Sequence, residues 1–237
     1  MSAPQEERAL PHRAAAAPAH NVRTSRRLSL RRGADVISVL LLTQTLTNLL
    51  TAPAGSGLPA GCNLSRTKGV EPPAFNVTRS HTLQVIAVGQ AGTATYRLRS
   101  PIQPPHSLEA GSLTWRWRAG TPLRGADLKR RNTDDSPVRL VVTFQDRRAI
   151  AYTWGNRESR GESLASGAGR NRMVVVLERS EDADGSWHVE KRDPFSDYRR
   201  LWNNAPKAIV SVGVGADTDG LKVRGAAEIG DMTWHAP

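Results

Sequence analysis

The residues best suited to chemistry are acids at the ends of apolar runs. Asp134 and Asp135 stand just before the run SPVRLVVTF, and Asp217 and Asp219 follow the run AIVSVGVGA. Both pairs fall at expected strand–loop junctions, where loops from separate strands can meet. Carboxylates brought together repel one another unless a cation, an arginine or a proton compensates. Only oxygen ligands are on offer, so the expected cation is calcium, held by Asp134, Asp135, Asp217 and Asp219. Arg139 or Arg172 is the alternative compensator, which would make the cluster structural. For either pair alone the competing reading is turn chemistry, because Asp readily bonds nearby backbone in turns.

A second polar group, Glu190, Lys191, Arg192 and Asp193, follows Trp187. With Arg139, Glu190 and Arg192 could build a polar ligand site or an ion-pair network; surface pairing is the commoner fate of such residues. Two carboxylates facing each other across a groove could serve a glycosidase, one as acid and one as base or nucleophile. The candidates are Asp134, Asp135, Glu190, Asp217 and Asp219. Aromatic faces stack on sugars, and Trp154, just before Gly155-Asn156, and Trp202 are the most loop-proximal. Trp115, Trp117 and Trp234 read instead as core.

Other chemistries lack their residues. Asp182-Ala183-Asp184-Gly185 resembles part of a calcium loop, but the remaining ligands are absent and it reads as a hairpin turn. There is no G-x-S-x-G and no histidine in an evident triad context. Gly213-Val214-Gly215 lacks the spacing of a dinucleotide fingerprint. Cys62 is the only cysteine, which excludes an intramolecular disulfide and a cysteine-rich zinc site. No cofactor is required, calcium aside.

The elements that position these residues are strands. Leu113, Trp115 and Trp117 share one face while Thr114, Arg116 and Arg118 share the other, and Ile150, Tyr152 and Trp154 alternate likewise. A period of two is what one buried and one wetted sheet face require. Short runs of this kind recur between turn clusters from residue 82 to 234, which predicts an all-β fold. We expect an antiparallel β-sandwich or jelly roll of about nine strands. Within DPFSDYRRLWN, Phe195, Tyr198, Leu201 and Trp202 fall at helical spacing, which predicts one short helix near 195–203. Asp193 or Ser196 would cap it and Pro206 would help to end it.

The chain divides into a basic leader over 1–54, a Gly- and Pro-rich linker over 55–80, and a β-domain over 81–237. The leader carries Arg26, Arg27, Arg31 and Arg32, then the short apolar run 36–50, then Ala52-Pro53-Ala54. That is the pattern of an export signal cleaved between Ala54 and Gly55. The Arg26-Arg27 pair leaves both the general and the twin-arginine route open. Lipidation at Cys62 is disfavoured, because Pro59 stands where a lipoprotein box has Leu. The run is too short and polar for a comfortable membrane span, so the mature protein is expected outside the cytoplasm with no transmembrane segment. The net charge of +11 is shared between leader and domain, and no aromatic-interleaved basic motif is present. That reads as solvated surface and not as a nucleic-acid groove. The pattern does not specify an oligomeric state.

From about residue 93 to 234 the order of motifs resembles a bacterial family known as the domain of unknown function number three thousand and forty-seven. The segments are LTWRWRAG (113–120), GADLKRRNTDDSPVRLVVTF (125–144), IAYTWGN (150–156), RMVVVLE (172–178), WHVEKRDPFSDYRR (187–200), PKAIVSVGVGADTDG (206–220) and AEIGDMTW (227–234). The resemblance implies an exported β-rich domain and supplies no activity, ligand or catalytic residue. The resulting expectation is a non-catalytic envelope module that binds a glycan or another cell-surface component. The alternatives are an envelope glycoside hydrolase using paired carboxylates and a structural or assembly partner.

Overall fold

A computed structural model describes residues 57–105 and 111–237, apart from residues 168 and 170. The leader and the expected cleavage between Ala54 and Gly55 lie outside the described residues. Twelve strands, one α-helix and a short 3-10 turn at Ser180–Asp182 occur among the described residues. They are β1 (Cys62–Arg66), β2 (Ala74–Val77), β3 (Leu83–Val88), β4 (Ala91–Ile102), β5 (Ser112–Ala119), β6 (Ser136–Phe144), β7 (Ala149–Trp154), β8 (Ser163–Ala165), β9 (Arg172–Glu178), β10 (His188–Arg192), α1 (Pro194–Trp202), β11 (Ile209–Asp217) and β12 (Arg224–His235). They form a seven-stranded sheet, β1-β4-β11-β6-β7-β9-β8, and a five-stranded sheet, β10-β5-β12-β3-β2.

The fold is the expected all-β sandwich, with more strands than about nine. The additional ones are short: β1, β2 and β8. Two of them occupy the stretch 55–80 that the sequence offers as a linker. Composition hides them because β1, CNLSR, is half exposed and carries little apolar alternation. Its pairing with β4, Cys62 opposite Tyr96 through Arg66 opposite Gly92, defines it as a strand. One ladder is parallel, β7 with β9. The chain leaves β7, runs along the sheet edge as β8 and turns back as β9. β9 is thereby inserted between its two predecessors.

Alternation places the core as expected. Trp115 and Trp117 are 1% and 0% exposed. Between the sheets their rings meet those of β7: Trp115 lies 5.4 Å from Tyr152 and Trp117 5.7 Å from Trp154, centroid to centroid. Such aromatic pairs contribute about 0.5–1.5 kcal/mol each beyond their buried area. Helix α1 closes one end by packing Phe195 and Tyr198 on Phe144, and Phe195 on Trp234. Asp193 caps it, accepting from the backbone N–H groups of Phe195 and Ser196, with Pro194 in the first turn. Asn203 ends the helix in the left-handed region at φ 46°. Among the described residues no helix is long and apolar enough to cross a membrane.

Candidate functional site

The outer face of the seven-stranded sheet is divided in two. Over β7 and β9 it is apolar. Leu128, from the loop before β6, covers Val141, Ala149, Ala151, Val174 and Val176. Over β1, β4, β11 and β6 it is polar and open, because the apolar residues Val212, Val214 and Ala216 of β11 all belong to the core between the sheets. What β11 shows on its other face is Ser211, Gly213, Gly215 and Asp217. The glycines are required by their neighbours. A Cβ on Gly215 would lie 2.5 Å from the Gly92 carbonyl oxygen, and one on Gly213 would lie 2.8 Å from the Thr93 methyl.

Two cavities lie along this open face. One, of about 420 Å³, is lined by Asn63, Thr95, Arg97, Thr143, Gln145, Arg147 and Ser211 among others. The second, of about 230 Å³, is lined by Ser65, Arg66, Thr93, Arg139, Arg172, Gly215 and Asp217 among others. The register sets them end to end along β11, and the stretch they span is the trough. Ser211 pairs with Arg97 and Thr143 at one end of β11, and Gly215 with Thr93 and Arg139 towards the other. Phe144 is the one aromatic residue in either lining, and it is 1% exposed with its ring packed on Phe195 and Tyr198.

The four expected acids meet at the Asp217 end. Carboxylate oxygens of Asp135, Asp217 and Asp219 lie within 4.8 Å of one another. Asp134 feels the charges of Asp217 and Asp135. Asp135 and Asp217 already have local work. Asp135 is buried and accepts from the backbone N–H groups of Gly220 and Leu221 at 3.1 and 2.9 Å, which ties the β11–β12 turn to the start of β6. Asp217 Oδ2 pairs with Arg139 Nη1 at 3.1 Å, and Arg139 also donates to the Asp134 carbonyl. Burial raises Asp134 and Asp135, with Arg139 opposing it at the first and the two backbone amides at the second. Asp219 is pushed up to about 6, first by its hydrogen bond with Asp217, then by burial and the neighbouring charges. Asp217 Oδ1 is buried and receives no N–H or O–H from the described residues save what a protonated Asp219 supplies.

Glu190 is elsewhere. It sits on β10, the edge strand of the five-stranded sheet, facing inward, and Trp117 Nε1 donates to it at 3.1 Å. Its carboxyl partner is Glu178, a residue the sequence reading did not single out. β9 carries a bulge here: Thr153 pairs with Val176 but Trp154 pairs with Glu178. The extra residue turns both Leu177 and Glu178 toward the interior, a re-aiming that bulges perform. Glu178 is 6% exposed, lies 3.2 Å from His188 Nδ1 and 2.9 Å from Arg160 Nη2, and is raised to about 8. Burial is the largest cause, followed by hydrogen bonds with Glu190 and Asp182.

Arg192 also faces inward. It forms a two-pronged contact with Asp197 at 3.0 and 2.6 Å, and Tyr152 donates to the same carboxylate at 2.8 Å. It is thus an anchor for α1 and does not reach the trough. Trp154 is not at the surface. It is 1% exposed, and its Nε1 donates to the Arg179 carbonyl, because β7 continues its alternation to the last residue. Trp202 is half-buried against Tyr198, with Arg148 over its ring. The Asp182–Gly185 segment is not a hairpin within one sheet. It crosses from β9 to β10 in the other sheet, and Asp182 accepts from Arg160 and from the Arg179 backbone.

Fold and face together define an all-β two-sheet domain with one open, polar, strand-floored trough. The chain belongs to the DUF3047 family, proteins of unknown function, whose pattern matches residues 67–233. No curated protein matches it in sequence. Among solved structures, the xyloglucanase domain of NopAA, a type three effector from Sinorhizobium fredii in complex with cellobiose, aligns at 12% identity and a TM-score of 0.43, over 78% of this chain and 97% of that one. The agarase AgWH50C aligns at 10% identity and 0.36, over 78% of this chain and 25% of that one. An exo-beta-agarase aligns at 10% and 0.37, over 79% and 24%. This chain spans about a quarter of the length of the two agarases. Likeness so distant leaves the ligand to be read from this chain's own side chains.

Proposed function

We propose that this protein is an exported, non-catalytic binding module whose ligand is a glycan strand lying along β11 on the outer face of the seven-stranded sheet. The observation that carries the reading is the trough itself. Nine residues of β11 give it a length of about 30 Å, at roughly 3.3 Å per residue. An extended polymer fits such a surface better than a compact small molecule, which wants an enclosed site. Its walls offer hydroxyls from Ser65, Thr93, Thr95 and Thr143, amides from Asn63 and Gln145, and guanidinium groups. These match the hydroxyl-rich edge of a sugar chain.

Binding is favoured over hydrolysis by the carboxyl geometry. A glycosidase separates its two acids by about 5–9.5 Å to leave room for the bond and water. Here Asp217 and Asp219 share a hydrogen bond, and so do Glu178 and Glu190, the latter shut inside the edge of the sandwich. The test is binding of the purified domain to an array of bacterial and plant polysaccharides, repeated with Thr143→Trp, which fills the larger cavity. At least one polymer is expected to be retained by the native protein and lost by the folded variant. Equal retention by both would move the ligand off this face. Export is tested by fractionation: mature protein beginning near Gly55 is expected outside the cytoplasm, and uncleaved protein confined to the cytosol overturns it.

A further inference from the structure

We propose that the Asp217 end of the trough is an anion clamp, so that the glycan of the reading above, on which this inference rests, is a polyanion bearing carboxylate, sulfate or phosphate groups. Five arginines line the trough: Arg66, Arg139 and Arg172 at one cavity, Arg97 and Arg147 at the other. Only Arg139 forms an ion pair with any described residue. Arg66, Arg97 and Arg147 are exposed and unpaired among the described residues. Arg172 is unpaired among them too, although half-buried.

Arg172 is the most informative of them. Its backbone sits on β9 opposite Ala149, two strands from Arg139, yet its guanidinium lines the same cavity. Burial first, and the Arg139 charge second, push it below its usual range, with Asp217 opposing them. A cation held close to a second cation without a counter-ion in contact is relieved by an arriving anion. A guanidinium meets carboxylate, sulfate or phosphate through two parallel N–H bonds. Ser65 and Thr93 lie on the same wall, and the Ser65 hydroxyl donates to the Thr93 carbonyl at 3.2 Å. The nearby Asp217 does not cancel the site, because Arg139 already answers it.

The ligand backbone is a glycan and not a nucleic acid for one reason. Sequence-tolerant binding of single strands relies on aromatic rings that stack the bases. The rings of this sheet, Tyr96, Phe144, Tyr152 and Trp154, all belong to the core.

The experiment uses the full domain and measures affinity for polygalacturonate, its methyl-esterified form, poly(glycerol phosphate), neutral dextran and oligo-thymidylate, at low and moderate salt. Polygalacturonate or poly(glycerol phosphate) is expected to bind, more weakly as salt rises, and the two uncharged polymers at least tenfold more weakly. Which of the two acidic polymers binds tighter distinguishes a carboxylate from a phosphate source. Arg172→Gln and Arg66→Gln, which keep size and hydrogen-bonding capacity, are each expected to weaken binding about 10- to 100-fold. Lys191→Gln on the exposed side of β10 leaves it unchanged. Equal affinity for esterified and free polymer, or indifference to Arg172→Gln, overturns the clamp while the trough stands. No binding of any polymer by folded protein overturns both. Tightest binding of oligo-thymidylate, lost in Arg172→Gln, overturns the glycan.

Discussion

The two hydrogen-bonded carboxyl pairs of this protein, Asp217–Asp219 and Glu178–Glu190, are built alike and placed differently. Each keeps one member protonated above its ordinary range, Asp219 to about 6 and Glu178 to about 8. For Asp219 the first cause is the bond to its partner; for Glu178 it is burial. The first pair stands at the mouth of an open trough, beside Arg139. The second lies between β9 of one sheet and β10, an edge strand of the other, beside Trp117 and His188. Solvent reaches the open pair, whereas Glu178 is 6% exposed and is held between His188 and Arg160. Location in the sandwich, and not the acids themselves, separates a site from a seam.

The sharpest break of this comparison is at the seam. Trp117→Ala removes a fully buried ring and the donor to Glu190, and is expected to cost about 3–5 kcal/mol. The measurement is the midpoint of urea unfolding; an unchanged midpoint would mean the seam is not packed as described. Next in size is the effect of pH. Glu178 binds its proton more tightly folded than unfolded. Its contribution is therefore complete below the ordinary value of 4.5 and is lost as pH rises through about 8. The melting temperature should fall across that window. Glu190→Gln, which removes the facing acid and keeps a hydrogen-bonding group, should flatten the fall.

The open pair should behave the same way with a smaller amplitude. Asp219 sheds its contribution between 3.8 and about 6, and solvent weakens the effect because the side chain is partly exposed. In melts at pH 4 to 7, Asp219→Asn should remove this dependence and leave the Glu178 window intact. The smallest expected effect is that of calcium. At pH 7 and millimolar calcium we expect a rise in melting temperature of about 1–3 °C, reversed by chelator and absent in Asp217→Ala. No rise would leave Arg139 and Arg172 as the compensators at that pH.

Much of this arrangement could be read in the residues. Alternation in LTWRWRA placed Trp115 and Trp117 inward, and the 3.6-residue spacing of Phe195, Tyr198 and Trp202 placed the helix. The two aspartate pairs met because each ends a strand of the same sheet at the same end. What stayed hidden depended on pairing. Glu178 looked like the outward end of an alternating run, and only the bulge at Leu177 turned it inward. Gly155-Asn156 after Trp154 suggests a loop-proximal ring, yet the strand buries every residue to its end. The five arginines of the trough come from strands β1, β4, β6 and β9 and from the β6–β7 turn. Nothing local marks them as neighbours; the register of five ladders does.

Both sheets stop on short strands. β8 has three residues and β2 four, while β1 and β10 have five each. A neighbouring chain that tried to extend either sheet would find few free backbone groups in line. It would also meet Arg66 at the edge formed by β1 and Lys191 at that formed by β10. Short edges bearing charge are a known brake on edge-to-edge aggregation. In a molecule in which roughly half of the described chain is strand, the rims of both sheets are thus blunted against pairing with a second copy.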